Sequence, residues 1–197
     1  PPDARGPGGG RAGAGSGQGK VEEAERRRRR ARAGKEAALG PAHPATLLSV
    51  THLAGLLQAQ GKLDEAEPLM RRALAGSEAA LGADHPDTLI SVNNLAGLLQ
   101  AQGKLDEAEP MIRRALAGSE AALGADHPRT LSSVGNLASL LFTRGQTDEA
   151  ATLLQRVVAG QEAALGLAHP DTINSVQGLA MLLRDQGRAE EAAALLG

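Results

Sequence analysis

The chain has no cysteine, tryptophan or tyrosine, and a single phenylalanine, Phe142, among 197 residues. Without cysteine there is no disulfide, no thiolate nucleophile and no cysteine-based zinc site. One aromatic ring leaves the core to Leu, Val, Ile and Ala, a composition suited to helices, and offers nucleic-acid bases almost nothing to stack on. No apolar run approaches the roughly 20 residues that cross a bilayer, and no leader pattern opens the chain. The expectation is a soluble, cytoplasmic protein with no membrane partner. The chain begins on Pro1 rather than Met and stops at Gly197 partway through a recurring phrase, which reads as a fragment or as an imperfect gene model.

What is present is repetition. The stretch Leu81 to Ala122, LGADHPDTLISVNNLAGLLQAQGKLDEAEPMIRRALAGSEAA, is echoed by Leu39 to Ala80 and by Leu123 to Ala164, and a further copy begins at Leu165. His43, His85, His127 and His169 mark the phase, each followed by proline and each 42 residues from the next. A fixed period of this length signals a repeat array. Within one unit, the residue before proline is pushed to extended geometry while proline itself suits a first helical turn, so helix A of the unit starts near Pro86. Gly103 supplies a left-handed closure for helix A, and Gly124 is expected to do the same for helix B, which runs from about Lys104 to Leu123. One hairpin cannot bury its apolar face alone, so neighbouring hairpins must stack. Two features weaken helix B. Pro68 and Pro110 lie past its first turn, and Gly76, Gly118 and Gly160 sit mid-helix, which predicts loose packing there.

Leu95, Ala96, Leu99, Gly103, Leu105, Ala108 and Ala115 fall where tetratricopeptide (TPR) repeats place their packing residues. The 42-residue length, the LGxDHPDT opening and the NNLA and DEAEPxxxRAL phrases more specifically resemble the kinesin light chain type, seen also in nephrocystin-like proteins and in the sensor arrays of some signalling ATPases. The resemblance covers about Lys20 to the C-terminus. It implies an all-α fold, a right-handed TPR superhelix (α-solenoid) of antiparallel helix hairpins. The expected organisation is an arm over residues 1–19, an Arg-rich half repeat over 20–39, repeats over 40–81, 82–123 and 124–165, and a truncated fourth over 166–197.

Residues 1–35 carry ten Lys or Arg against four Asp or Glu, a net of +6; since the whole chain is −2, the remainder carries −8. A basic arm therefore precedes an acidic array. Its first part, to Gly19, is Gly, Ala, Pro, Arg and Ser, which predicts disorder. Ala14 to Val21 brushes the phosphate-loop pattern but has Ala14 for the first glycine and Val21 for the Ser or Thr, with no strand before it. In the half repeat, Arg27, Arg28 and Arg32 stand where the next unit has Leu69, Met70 and Leu74. Burying three arginines is costly, so a solvated or partly docked capping helix is expected. Any nucleic-acid binding by Arg26 to Arg30 is expected to be weak and salt-sensitive, with no specific nucleic-acid partner.

Chemistry finds little purchase. Equivalent histidines in neighbouring units are separated by two helix diameters, about 16–20 Å, whereas zinc holds nitrogen ligands at about 2 Å, so no metal is expected and the histidines are read as shaping the start of helix A. There is no nucleophile elbow and no cofactor fingerprint, and the Asp-Glu pairs such as Asp64-Glu65 and Asp106-Glu107 recur where acids favour the helix dipole. The chain is not expected to be an enzyme or to hold a cofactor.

The informative positions are those that differ between units. In helix A they are Leu48/Ile90/Ser132/Asn174, Thr51/Asn93/Gly135/Gln177, His52/Asn94/Asn136/Gly178, Gly55/Gly97/Ser139/Met181, Gln58/Gln100/Phe142/Arg184 and Ala59/Ala101/Thr143/Asp185. At about 100° per residue they share one face, while Ser91, Val92, Leu95, Ala96, Leu98 and Leu99 occupy the rest. In TPR arrays that free side lines a groove, and in kinesin light chain-like repeats the NNLA asparagines hold extended peptides. The resemblance thus points to Asn93, Asn94 and Asn136, with Gln58, Gln100, Phe142 and Arg184 along the same trough. The plain alternative is a solvated face free to drift. The implied function is an adaptor or scaffold that binds protein segments, and the other reading is a sensor or regulatory module of a larger signalling ATPase.

Overall fold

The computed structural model describes residues 12–196, with side chains from Gly19 onward. The described residues form helices and no strand: α1 (Ala12–Leu39), α2 (Pro44–Ala59), α3 (Leu63–Leu81), α4 (Pro86–Ala101), α5 (Leu105–Leu123), α6 (Pro128–Thr143), α7 (Thr147–Leu165), α8 (Pro170–Asp185) and α9 (Ala189–Leu196). None of them is long and apolar enough to cross a membrane. Two compact units, residues 1–69 and 70–197, divide the chain inside α3.

Helix A begins as the His-Pro step dictates. His43, His85, His127 and His169 hold extended backbone at the N-cap, and each imidazole Nδ1 accepts a hydrogen bond from the backbone N–H two residues on. For His127 that bond, from Arg129 N–H, is 3.1 Å. The histidines therefore satisfy one of the orphan donors of the first turn. Replacing His127 with alanine should cost about 0.5–2 kcal/mol, the usual worth of a cap, and His127→Asn should recover most of it. Thermal unfolding of the two variants checks this.

Helix A ends on a glycine. Gly103 lies at φ 77, its N–H donates to Gln100 O, and Lys104 N–H donates to Leu99 O, a Schellman closure. Gly61, Gly145 and Gly187 repeat it. Helix B ends differently from the sequence expectation. Gly124 has positive φ, 93, but ψ is 165, so it is extended rather than left-handed helical. Its N–H closes the helix on Glu120 O at 3.0 Å, and a turn at Ala125 and Asp126 leads to the next His-Pro corner.

The hairpins of the second unit pack in chain order, α4 on α5, α5 on α6, α6 on α7, α7 on α8 and α8 on α9. Ala108, Ile112, Ala115 and Ser119 form the buried stripe of α5, at the spacing of one helix face. Pro110 does not break that helix, which runs unbroken from Leu105 to Leu123. The bond it removes would have gone to Asp106 O in the exposed first turn.

The mid-helix glycines correct the expectation of loose packing. A Cβ at Gly118 would stand 2.6 Å from Leu89 Cδ1, and one at Gly160 would stand 2.6 Å from Leu131 Cδ1. Each glycine lets helix B close on a leucine of its own helix A, and Leu89 and Leu131 are both fully buried. Glycine marks a close approach of the two helices, not a weak contact.

A second feature locks adjacent repeats. Arg114 of α5 pairs with Glu78 at 2.8 Å and donates to Ala83 O at 2.8 Å. One repeat later, Arg156 of α7 pairs with Glu120 at 2.7 Å and donates to Ala125 O at 3.0 Å. An arginine on one helix B thus reaches a glutamate on the preceding helix B and the loop carbonyl beyond it. The planar guanidinium serves both acceptors at once.

In the first unit, α1 packs against α2. It starts at Ala12, so residues 12–19 are helical where disorder was expected, while residues 1–11 lie outside the described residues. Extending an existing helix needs no new nucleus, although each glycine there still costs roughly 1 kcal/mol against alanine. The near-match to a phosphate loop is thereby part of a helix. The three arginines at core-equivalent positions stay out of the core. Arg27 and Arg28 are exposed and Arg32 is half-buried. Arg27 pairs with Glu23 at 2.6 Å, and Arg28 donates to His52 O at 2.8 Å.

Glu25 is the anchor of this cap. Lys62 reaches it at 2.7 Å and Arg29 at 2.9 Å, and Arg29 also holds Glu65 at 2.7 Å. The Lys62 ammonium first, and then Arg29, lower the Glu25 pKa from 4.5 to about 2. A depressed carboxylate stabilises the folded state fully above its unfolded pKa and loses that contribution as pH falls through the folded one. The docking of α1 should therefore weaken between about pH 4.5 and about pH 2. Amide exchange of residues 20–39 over that range reads it, and Glu25→Gln should flatten the response.

Candidate functional site

Two chemistries meet on helix A of the second unit. Val92, Leu95, Ala96, Leu98 and Leu99 of α4 are fully buried, as are Val134, Leu137, Ala138, Leu140 and Leu141 of α6. The positions that differ between repeats lie on the other side and are exposed or half-buried in α4, α6 and α8. So the face free to vary in sequence is the face free of the core.

That face is not smooth. Between α4 and α6 lies a pocket of about 230 Å³ whose lining includes Ile90, Asn93, Asn94, Arg129 and Ser132. Asn93 Oδ1 is buried there with no hydrogen-bond partner. Arg129 crosses to Asp87 at 3.3 Å. Farther along the same crevice the helices are bridged, since Gln100 Nε2 donates to Ser139 Oγ at 2.9 Å.

The next crevice, between α6 and α8, repeats that pocket one unit on. It is about 370 Å³ and is lined by Ser132, Gln161, Asp171, Asn174 and Ser175 among others. Its far half, however, is open and apolar, about 220 Å³ in volume, with Gly135, Phe142, Gly178 and Met181 in its lining. Phe142 and Met181 occupy the positions that in the preceding crevice hold Gln100 and Ser139. An apolar pair thus replaces a polar bridge.

The residues singled out from sequence are accordingly divided. Asn93 and Asn94 come together in the α4–α6 pocket, and Phe142 lines the α6–α8 one. Asn136 is half-buried on α6, Gln100 is engaged with Ser139, and Arg184 is exposed near the end of α8. Gln58 is half-buried on α2 and belongs to the other unit. Gln161 and Asp171, which line the α6–α8 crevice, lie outside the residues singled out from sequence. Met181 was within the variable set, and its exposure beside Phe142 is what distinguishes it. No group of three His, Asp or Glu among the described residues is placed to hold a metal ion.

The Tetratricopeptide repeat family matches this chain three times in overlapping windows, residues 45–117, 88–163 and 133–197. The chain belongs to the tetratricopeptide repeat family. Its kinship within that family is with kinesin light chain-like repeats. Two crystal structures of the nearly identical TPR-like repeats of a putative kinesin light chain from Podosopora anserina carry this. One, of a single-substitution variant, is 32% identical with a TM-score of 0.74 over 91% of this chain and 84% of its own. The other is 34% identical with a TM-score of 0.72 over 91% and 85%. BtubC (BKLC) from P. vanneervenii shares the TPR fold, at 20% identity and a TM-score of 0.70 over 90% of this chain and 71% of its own. No curated protein matches this TPR chain.

Proposed function

We propose that this TPR chain is a non-catalytic adaptor or scaffold of the cytoplasm that binds extended protein segments along the helix A face of residues 70–197. The observation that carries the reading is the division of helix A itself. Its buried side keeps the same residues from repeat to repeat, while its open side differs at each repeat and is lined by groups suited to peptide backbone. Asn93 Oδ1 is buried without a partner, and an amide side chain both donates to and accepts from a peptide unit. Asn94 lines the same pocket, and Asn136 holds the equivalent position one repeat on, 42 residues from Asn94.

Amide exchange tests the location. A protein captured from a cell lysate on the immobilised chain should slow exchange in α4, α6 and α8. Protection confined to α5 and α7 would place the ligand on helix B and refute the groove.

A further inference from the structure

The α6–α8 crevice differs from its neighbour in two ways that together specify a ligand. Its apolar half is held open by glycine. Gly135 and Gly178 sit within helices, where glycine is disfavoured against alanine, yet a Cβ at either would meet nothing within 4 Å. At Gly118 and Gly160 a Cβ would press on a buried leucine, but at these two it would not. Beside them Phe142 is 45% and Met181 64% exposed, so a large apolar side chain entering here would cover surface that the fold leaves to water.

The polar half offers acceptors to a cation. Gln161 Oε1 is buried with no hydrogen-bond partner, and the carboxylate of Asp171 can only accept. In the preceding crevice the position of Asp171 is held by Arg129, so the sign of the charge is reversed here. Residues 36–197 carry a net charge of −8, which favours a cationic segment. The two openings are centred about seven residues apart along α8, or about 10 Å at 1.5 Å per residue, a distance that about three extended residues span.

We infer that the crevice between α6 and α8 binds an extended peptide carrying a Lys or Arg about three positions from a Leu, Met or Phe, the cation donating to Asp171 and Gln161 and the apolar side chain seated on Phe142 and Met181. This rests on the groove reading above and names what one part of that groove selects.

The test uses the full chain and fluorescently labelled Ser/Gly peptides that carry Arg and Leu three positions apart, in both orders because the peptide can run either way. Binding is expected for one order, and replacing Leu by Ser or Arg by Glu should each weaken it at least tenfold. Gly178→Leu should fill the apolar half and abolish that binding without lowering helicity or Tm. Asp171→Asn should weaken the Arg-Leu peptide but not a peptide with Leu alone. The inference is overturned if neither order binds, if the Ser-for-Leu peptide binds equally well, or if Gly178→Leu changes nothing. A captured protein that lacks this pattern and is lost in an Asn94→Ala/Asn136→Ala variant would overturn the inference while leaving the groove reading in place.

Discussion

Replacing Gly118 with valine should destabilise residues 70–197 by about 1–3 kcal/mol, the cost of overpacking a close contact. Helix propensity alone predicts the opposite sign, because glycine is the worst of the ordinary residues in a helix. Packing decides. Even the first carbon of the new side chain would stand 2.6 Å from Leu89 Cδ1 and 2.9 Å from Cδ2, and Leu89 is fully buried and cannot swing into solvent. Gly118→Ala is the less informative change, since a gain of about 1 kcal/mol in propensity opposes the clash. The specific control is Leu89→Ala. Alone it should cost about 2–5 kcal/mol, but combined with Gly118→Val the losses should not add, with a coupling of at least about 1 kcal/mol. Gly160→Val against Leu131 repeats the experiment one unit on. Denaturant unfolding measures all of these, and a neutral or stabilising Gly118→Val would show that the close approach has no energetic weight.

The second large effect is on binding. Asn94→Ala with Asn136→Ala should weaken a captured protein ligand by about 1–3 kcal/mol in total, at about 0.5–1.5 kcal/mol per hydrogen bond, while leaving the fold intact. Both side chains lie outside the buried core, so little stability is at stake. The control must be chosen with the structure in view. Arg114 is unsuitable because it joins α5 to Glu78 and to Ala83 O. Arg113 pairs with Glu109 of its own helix and is half exposed, so Arg113→Ala changes the surface of helix B and leaves the stacking of repeats alone. Arg113→Ala should bind as the parent does.

What could be read from the sequence was what is set locally. The His-Pro corner, Gly103 and the two faces of helix A all follow from a residue and its neighbours within a turn or two, and the structure has them at those positions. The cap made by each imidazole is local as well, although sequence suggested only that the histidine shapes the start of the helix. Gly118 misled because its reason lies in Leu89, on the other helix of the hairpin. The arginine ties were missed for the same reason. Arg156 and Glu120 are 36 residues apart, and only the stacking of repeats brings them together. Within the candidate site, the varying face was visible as a pattern across copies. The bridge from Gln100 to Ser139, and its replacement by an open Phe142 and Met181, was not, because it depends on which side chains of adjacent helices meet.

The central claim is that helix A, not helix B, carries the ligand surface. Site-specific photocrosslinking tests it most directly, with a photoreactive residue placed at Asn136 on α6 in one preparation and at Arg113 on α5 in another. A covalent adduct to the captured partner is predicted from position 136 and none from position 113. An adduct from position 113 alone would contradict the claim.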